Sequence, residues 1–464
     1  MTPKHIAVID VGKTNAKLAL VDAASLTEVA VVTRPNAVLP GPPYRHFDVE
    51  GHWDFFLDQL AGFHSQHGVD AISITTHGGA GVLLASDGTL AAPVLDYEET
   101  GLDEVAARYN AIRPDFTETG SPRLPGGLNL GAQIYWQFSI DESLYDRTTA
   151  LVTYPQYWGH RLTGVLACDV SSLGCHTDLW NPHQQKFSSL VDVLKIANKV
   201  APARPSGDVL GPILPTVAER TGLSDATPVY CGIHDSNASL LPHVLQRRMP
   251  FSVVSTGTWV IVMSMGGEDV MLDPSRDTLI NVNGLGNPVP SARFMGGREF
   301  DFFTEGAALV FEPDDLDQVA KNGPLLMPGS VTNSGPFPGQ NWTWIGKEPA
   351  VGSSERSVAI GYYLAMMTAE CLTMTGHKGD IVVEGPFSNY SAYCRMLSAA
   401  TECAVVAAQG TTGTSSGAAL LALGANVPDT DRDAGAANKE DSMLYRDYAR
   451  RWRSEVRKRT KAAF

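Results

Sequence analysis

Apolar positions fall in short unbroken or alternating runs at the start of the chain and again past its middle. Ile6-Ala7-Val8-Ile9 ends at Asp10, turns through Gly12, Lys13 and Thr14, and resumes as Ala16-Lys17-Leu18-Ala19-Leu20-Val21. A short apolar run closed by such a turn predicts a buried strand, and its resumption predicts the hairpin partner. Phe251-Ser252-Val253-Val254-Ser255-Thr256 repeats the device, turning at Gly257-Thr258-Trp259 into Val260-Ile261-Val262. Residues 1–100 read as strands and turns, with 71–76 a buried strand and Asp87-Gly88 closing a hairpin over 82–89. The Gly- and Pro-rich stretch 119–131 reads as loop before a helix over 132–138, and 202–215 as an irregular crossing near a domain boundary. A short helix is expected over 216–221, after which 228–232 leads into the second half. The spacing of Val358, Ile360, Gly361, Leu364, Met367, Cys371 and Leu372 predicts a buried helix over 357–375. A strand over 381–384, a turn at Gly385 and a helix over 389–401 follow. The tail from Tyr445 carries eight Lys/Arg against two acids and reads as a solvated helix charged on all sides.

A chain of 464 residues exceeds one comfortable core, so two domains of roughly 200 residues are expected. The formal net charge of −15 argues against a nucleic-acid surface, though not against nucleotide binding. Six cysteines without metal-like spacing read as reduced core thiols. No run approaches the ~20 apolar residues of a membrane helix. Nothing resembling a signal peptide precedes Ile6, so the expected location is the cytoplasm.

The first hairpin can wrap a phosphate chain with backbone N–H groups and the Thr14 hydroxyl, Lys17 adding charge. Asp10 suits Mg²⁺, which is commonly held by one or two carboxylates plus phosphates. One such hairpin is equally an ordinary N-terminal turn. Two, the second offering Thr256, Gly257 and Thr258, point to a nucleotide between duplicated domains. In Cys231-Gly232-Ile233-His234-Asp235-Ser236-Asn237 a strand switches to a helix at a carboxylate, readable as a helix N-cap or as a general base. Thr76-His77-Gly78-Gly79 ends a strand with an imidazole and two glycines, a ligand position in α/β folds, with a structural histidine as the plainer reading. Asp96 and Tyr97 are further polyol-binding candidates. Gly385, Pro386 and Asn389 form a turn where a glycine lets adenine or ribose approach the backbone. The twelve histidines show no metal-ligand spacing, and His176 and His183 read as surface residues.

Together these residues resemble the FGGY family of carbohydrate kinases, within the actin–hexokinase superfamily, from Asp10 to about Gly424. The motifs are Asp10-x-Gly12-x-Thr14; Tyr157-Trp158-Gly159-His160-Arg161-Leu162-Thr163-Gly164 with Asp169-Val170-Ser171; Gly232-x-His234-Asp235; Ser255-Thr256-Gly257-Thr258-Trp259; and Glu384-Gly385-Pro386-x-x-Asn389 with Gly417-Ala418-Ala419. The His-Asp pair is most similar to the rhamnulokinase- and fuculokinase-like branch. Lys13 stands where Thr is common, Gln156 where an acid often precedes the Tyr, and Glu384-Gly385-Pro386 replaces a Gly-rich turn. No Arg lies two residues after Asp96.

The resemblance implies an α/β fold of two ribonuclease-H-like domains facing a cleft, with 1–240 binding mainly sugar and 241–464 mainly nucleotide. It implies ATP and Mg²⁺ as cofactors, with Asp235 the catalytic base and Asp10 the metal contact. His77, Gly78, Gly79, Asp96, Tyr97 and His234 would read the sugar. Gly12, Lys13, Thr14, Asn15, Lys17, Thr256, Gly257, Thr258, Gly385, Pro386 and Asn389 would hold the nucleotide. The implied acceptor is a primary hydroxyl of a ketose such as L-rhamnulose or L-fuculose. A polyol kinase, or a degenerate sugar-sensing regulator, is the alternative, and a homodimer stays open.

Overall fold

The computed structural model describes residues 3–408, 413–424, 439–440 and 442–462. They form two compact units: the first holds residues up to 246, 280–288 and the described part of 412–430, and the second holds the described residues of 247–279, 289–411 and 431–464.

In the first unit, β1 (His5–Val11), β2 (Asn15–Asp22) and β3 (Glu28–Pro35) form an antiparallel meander. On the other side of β1 lie β4 (Ala71–Thr76) and then β5 (Pro228–Tyr230), both parallel to their neighbour. The spatial order is therefore β3-β2-β1-β4-β5. Alternate residues of β1 enter two different cores, Ala7, Ile9 and Val11 one and Ile6 and Val8 the other. A strand covered on both faces accounts for the unbroken apolar run.

The second unit repeats the order with β6 (Phe251–Thr256), β7 (Val260–Met265), β8 (Pro288–Phe294), β9 (Asp380–Glu384) and β10 (Val405–Ala407), arranged β8-β7-β6-β9-β10. This is the ribonuclease-H-like arrangement twice over, as the sequence leads one to expect. The Ser354–Met374 helix forms where its spacing predicts and is buried along most of its length.

Several elements differ from the sequence reading. Residues 1–100 include a 19-residue helix, Val49–His67, which Asp48 caps by accepting from the Gly51 N–H at 3.1 Å. Its buried Val49, His52, Phe56, Leu57, Leu60 and Phe63 recur at helical spacing. The crossing over 202–215 includes a strand, Val209–Pro212, that pairs with β5 and extends the first sheet, so it lies within the first unit. The turn at Asp87-Gly88 forms and the returning chain bridges back antiparallel, Leu90 to Leu84, while Gly81–Leu84 also pairs along its length with Ala150–Thr153. The Met443–Ala462 helix is amphipathic: Tyr445, Tyr448, Ala449, Trp452 and Val456 are buried, and Trp452 Nε1 donates to the Leu326 carbonyl at 2.7 Å. Arg450, Arg451, Arg457 and Lys458 are exposed on the outer arc, while Arg446 and Arg453 are half-buried. All six cysteines are free. His183 is exposed, but His176 is half-buried and donates from Nδ1 to the Leu128 carbonyl at 2.7 Å. Among the described residues no helix is long and apolar enough to cross a membrane.

Candidate active site

The β1–β2 turn is closed by Gly12 N–H donating to the Asn15 carbonyl at 2.9 Å. Asp10 ends the buried run beside it. Its Oδ2 lies 3.2 Å from Lys17 Nζ and accepts from Thr414 Oγ1 at 2.5 Å. Burial holds the Asp10 carboxyl above the usual range, with Lys17 and Thr414 pulling it back. Asn36 ties the turn from behind: its N–H donates to the Thr14 carbonyl and its Nδ2 to the Gly12 carbonyl, both at 2.8 Å. Securing those carbonyls favours a turn that offers N–H groups to an anion. His52 donates from Nε2 to Asn36 Oδ1 at 2.8 Å and accepts at Nδ1 from Arg34 Nη1 at 2.7 Å. Burial, then the Arg34 charge, lowers His52 to about 4, so it stays neutral. Neither Asn36 nor His52 was found by motif. The available signal was a histidine one helical turn before Phe56, on the buried face of the Val49–His67 helix.

Lys13 departs from the phosphate role read for it. Its ammonium pairs with Asp96, lies 3.2 Å from Glu98 Oε2, and sits 4.5 Å from the Tyr97 ring centre and 5.3 Å from that of Phe47. Asp96 is fully buried and also faces Arg45 Nη2 at 3.1 Å. Two residues assigned separately from the sequence, one to phosphate and one to sugar, are thus one ion pair.

The strand Ile233–His234 gives way directly to the helix Asp235–Gln246, the switch expected from the sequence. The Asp235 side chain is 29% exposed; its Oδ1 accepts from Ser236 N–H at 2.6 Å and lies 3.1 Å from His234 Nε2. Asn237 Nδ2 donates to His234 Nδ1 at 3.3 Å. That leaves the proton of the neutral ring on Nε2, whose hydrogen-bond partner is Cys175 Sγ at 3.5 Å. Burial brings His234 down to about 4. His77 donates from Nδ1 to the Gly78 carbonyl at 2.8 Å. Its buried Nε2, a lone pair in this tautomer, has no partner among the described residues. Phe47, Tyr154 and Tyr97 surround the ring with centroids 5.1, 5.3 and 5.5 Å away. Burial lowers His77 and raises Asp235, and each group feels the other's charge. A Cβ on Gly78 would come within 2.9 Å of His234 Nε2 and 3.1 Å of Cys175 Sγ, so only glycine lets the 77–79 turn lie against His234. Burial pushes the Tyr97 hydroxyl up to about 12.

Behind this turn lies a buried polar network. Gln156 Nε2 donates to the Cys231 carbonyl at 2.7 Å, and its Oε1 accepts from Thr153 Oγ1. Asp169 accepts from the Ser171 and Ser206 hydroxyls at 2.7 Å, while His234 N–H donates to Ser171 Oγ at 3.0 Å. The middle motif therefore positions the Asp235 switch. Gln156 replaces an acid because it must donate to a carbonyl, which a carboxylate cannot do.

In the second unit Thr256 Oγ1 donates to the Glu384 carbonyl and accepts from Phe387 N–H at 3.1 Å, joining the β6–β7 and 385–387 turns. A Cβ on Gly385, at φ +80°, would meet Thr256 Oγ1 at 2.9 Å, and one on Gly297 would meet Thr258 Cα at 3.0 Å. These turns line a cavity of about 680 Å³ with Gly257, Thr258, Gly297, Phe300, Pro386 and Tyr390 on its walls. Ligand pockets fall in this size range. Asn389 ends the short helix Pro386–Asn389 and is absent from the cavity wall. Gly297, Phe300 and Tyr390 escaped the sequence reading; the Gly296-Gly297 pair was their only signal.

Among the described residues no three His, Cys, Asp or Glu side chains cluster as a metal cage. Asp10, a lone carboxylate beside a phosphate-type turn, fits a Mg²⁺ that arrives on nucleotide phosphates.

The family model "FGGY family of carbohydrate kinases, N-terminal domain" matches residues 5–242, and "Carbohydrate kinase FGGY, C-terminal domain" matches 248–431. A carbohydrate kinase from Novosphingobium aromaticivorans superposes with a TM-score of 0.91 at 34% identity, over 99% of both chains. Plasmodium falciparum glycerol kinase with ADP shares the fold, with a TM-score of 0.79 at 14% identity over 98% of both chains. An L-fuculokinase of Salmonella typhi is 24% identical over 273 residues, 57% of each chain, so the match spans little more than half of that relative. The chain belongs to the FGGY family of carbohydrate kinases.

Proposed function

We propose that the protein is a cytoplasmic kinase that transfers the γ-phosphate of ATP to a primary hydroxyl of a ketose such as L-fuculose or L-rhamnulose. The observation that carries this reading is the pair Asp235 and His77. A half-exposed carboxylate with raised proton affinity feels the charge of a buried imidazole whose acceptor nitrogen is unused.

Asp235 takes the proton of the attacking hydroxyl, the role a positioned carboxylate plays in phosphoryl transfer. The Ser236 N–H, donating to Asp235 Oδ1 at 2.6 Å, helps fix its direction, and His234 Nε2 lies 3.1 Å from the same oxygen. His77 Nε2 accepts from a second sugar hydroxyl. A sugar lacking that hydroxyl would leave the buried nitrogen unpaired, which is how such sites discriminate. Asp10 is the residue that would hold Mg²⁺ through the nucleotide; when bound, the ion neutralises phosphate charge. The β1–β2 turn, with Gly12, Thr14, Asn15 and Lys17, is assigned to phosphates. The cavity of the second unit, with Gly257, Thr258 and Pro386, is assigned to the rest of the nucleotide, with Thr256 and Gly385 holding its turns together. The ketose assignment draws on the likeness to L-fuculokinase.

A panel of ketoses, 6-deoxyketoses and polyols in an ADP-release assay tests this. Release with ketoses is the expected result. Release with glycerol or erythritol alone would keep the kinase and overturn the acceptor. No acceptor-dependent release would favour a sugar-sensing regulator.

A further inference from the structure

We propose that Lys13, although it lies in the phosphate turn, is a specificity-determining residue of the acceptor side, where its ammonium binds a sugar hydroxyl adjacent to the one bound by His77. The inference deepens the kinase reading and rests on it. Three observations converge. First, Asp96 is fully buried and takes Lys13 and Arg45 as its cations. A carboxylate without water needs such partners, and removing one leaves an uncompensated buried charge. Lys13 is therefore held at Asp96 rather than free to follow a phosphate. Second, the Lys13 ammonium and the His77 ring share the same two aromatic neighbours, Phe47 and Tyr97. Cation and imidazole form one wall. Third, an ammonium has three N–H donors. Asp96 and Glu98 take two directions, and the side chain keeps 24% of its surface exposed.

The pairing changes what Asp96 can do. Its Oδ1 accepts from Lys13 and the Glu98 N–H, while Oδ2 faces Arg45 Nη2 at 3.1 Å and accepts no hydrogen bond among the described residues. Burial, with a smaller contribution from the Lys13 charge, lowers the proton affinity of His77. A donor from Lys13 beside an acceptor on His77 suits two neighbouring hydroxyls of a neutral polyhydroxy acceptor. With Asp96 and Glu98 balancing Lys13 and Arg45, the wall offers no net cation to an acidic sugar.

The test compares Lys13→Met, Lys13→Arg and the double variant Lys13→Met/Asp96→Asn, which removes both charges and guards against misfolding. The probes are a non-hydrolysable ATP analogue for affinity and whichever panel sugar wild type phosphorylates best for turnover. Expected is a loss of about 10- to 100-fold in kcat/KM for the sugar in both Met variants, as for removal of a charged hydrogen bond. Analogue affinity should stay within about twofold, a pattern that general unfolding would not give. Lys13→Arg should recover part of the loss. Analogue affinity falling tenfold with sugar KM unchanged would overturn the assignment and return Lys13 to the phosphates. A wild-type protein that phosphorylates nothing in the panel overturns the kinase reading itself, and does so without any variant.

Discussion

The two units share a sheet order and a strand–turn–strand hairpin at the same place in it, yet they secure that turn by opposite means. In the first unit the turn is flanked by charge: Asp10 with Lys17, and Lys13 with Asp96, while Asn36 and His52 brace it from behind. In the second unit the corresponding turn, Gly257–Trp259, carries no charged residue, and backbone meets backbone at Gly297 and Gly385. Register explains part of this. Asp10 lies opposite Lys17 across the first hairpin, whereas Ser255 lies opposite Ile261 across the second. The two units thus share topology but differ at the turn: the first is an ionisable centre, while the second turn bears no charge of its own, although Arg293 lies over the Trp259 ring and Arg298 and Asp301 line the cavity. One is vulnerable to loss of a charge, the other to gain of a methyl group.

The sharpest way to break the comparison is Asp235→Asn. Turnover should fall about 10²- to 10⁴-fold, the usual contribution of a general base. Affinity for a nucleotide analogue should be retained. Because burial raises the Asp235 carboxyl, wild-type kcat/KM should decline on the acid side at a pH above the ordinary carboxylate range. The ionised base is lost as pH falls through that raised value. The variant should lack this limb, and a variant with near-normal turnover would remove Asp235 from catalysis.

The second unit also buries a carboxyl. Glu299 is 2% exposed, accepts from Tyr363 OH at 2.8 Å, and burial raises it from 4.5 to about 7. A carboxyl that binds its proton more tightly when folded stabilises the fold at low pH. That stability is lost as pH rises from 4.5 through about 7. The full difference is on the order of 3 kcal/mol. Glu299→Gln removes the dependence, so the variant should match wild type near pH 4 and melt at a higher temperature at pH 8. Melting curves across that range check the sign, and a wild type that gains stability over this interval would overturn it.

Strand positions and the Asp235 switch were legible because buried strands impose period and length on the sequence. The same holds for the Ser354–Met374 helix. The Val49–His67 helix was not, since a polar residue, His52, occupies its buried stripe and its strand-rich surroundings masked the spacing. Nor was the buried side of the terminal helix: counting charges hid the five residues Tyr445, Tyr448, Ala449, Trp452 and Val456 that face inward. At the site, residues meeting a ligand through a turn were readable from local chemistry. Residues acting through another residue were not. Asn36 and His52 belong to no motif, and the partnership of Lys13 with Asp96 spans 83 positions, a distance no local pattern encodes.

The turns of the second unit can be probed by two glycines that differ in what a side chain would meet. At Gly257 a Cβ finds no protein atom nearer than the Trp259 carbonyl oxygen at 3.8 Å, and the residue lines the cavity. At Gly385 it would collide with the Thr256 backbone, from a φ of +80° that β-branched residues avoid. Gly257→Val should therefore fold normally and project into space the nucleotide needs. ATP KM should rise about tenfold, equivalent to ~1.4 kcal/mol, with sugar KM unchanged. Gly385→Val should instead cost about 1–3 kcal/mol of stability through backbone strain, visible as a lower melting temperature before any kinetic measurement. The pair separates occupancy from architecture. If Gly257→Val weakened the sugar and spared ATP, the nucleotide would have been assigned to the wrong unit. If both variants merely destabilised the fold, the cavity would be a packing gap without a ligand role.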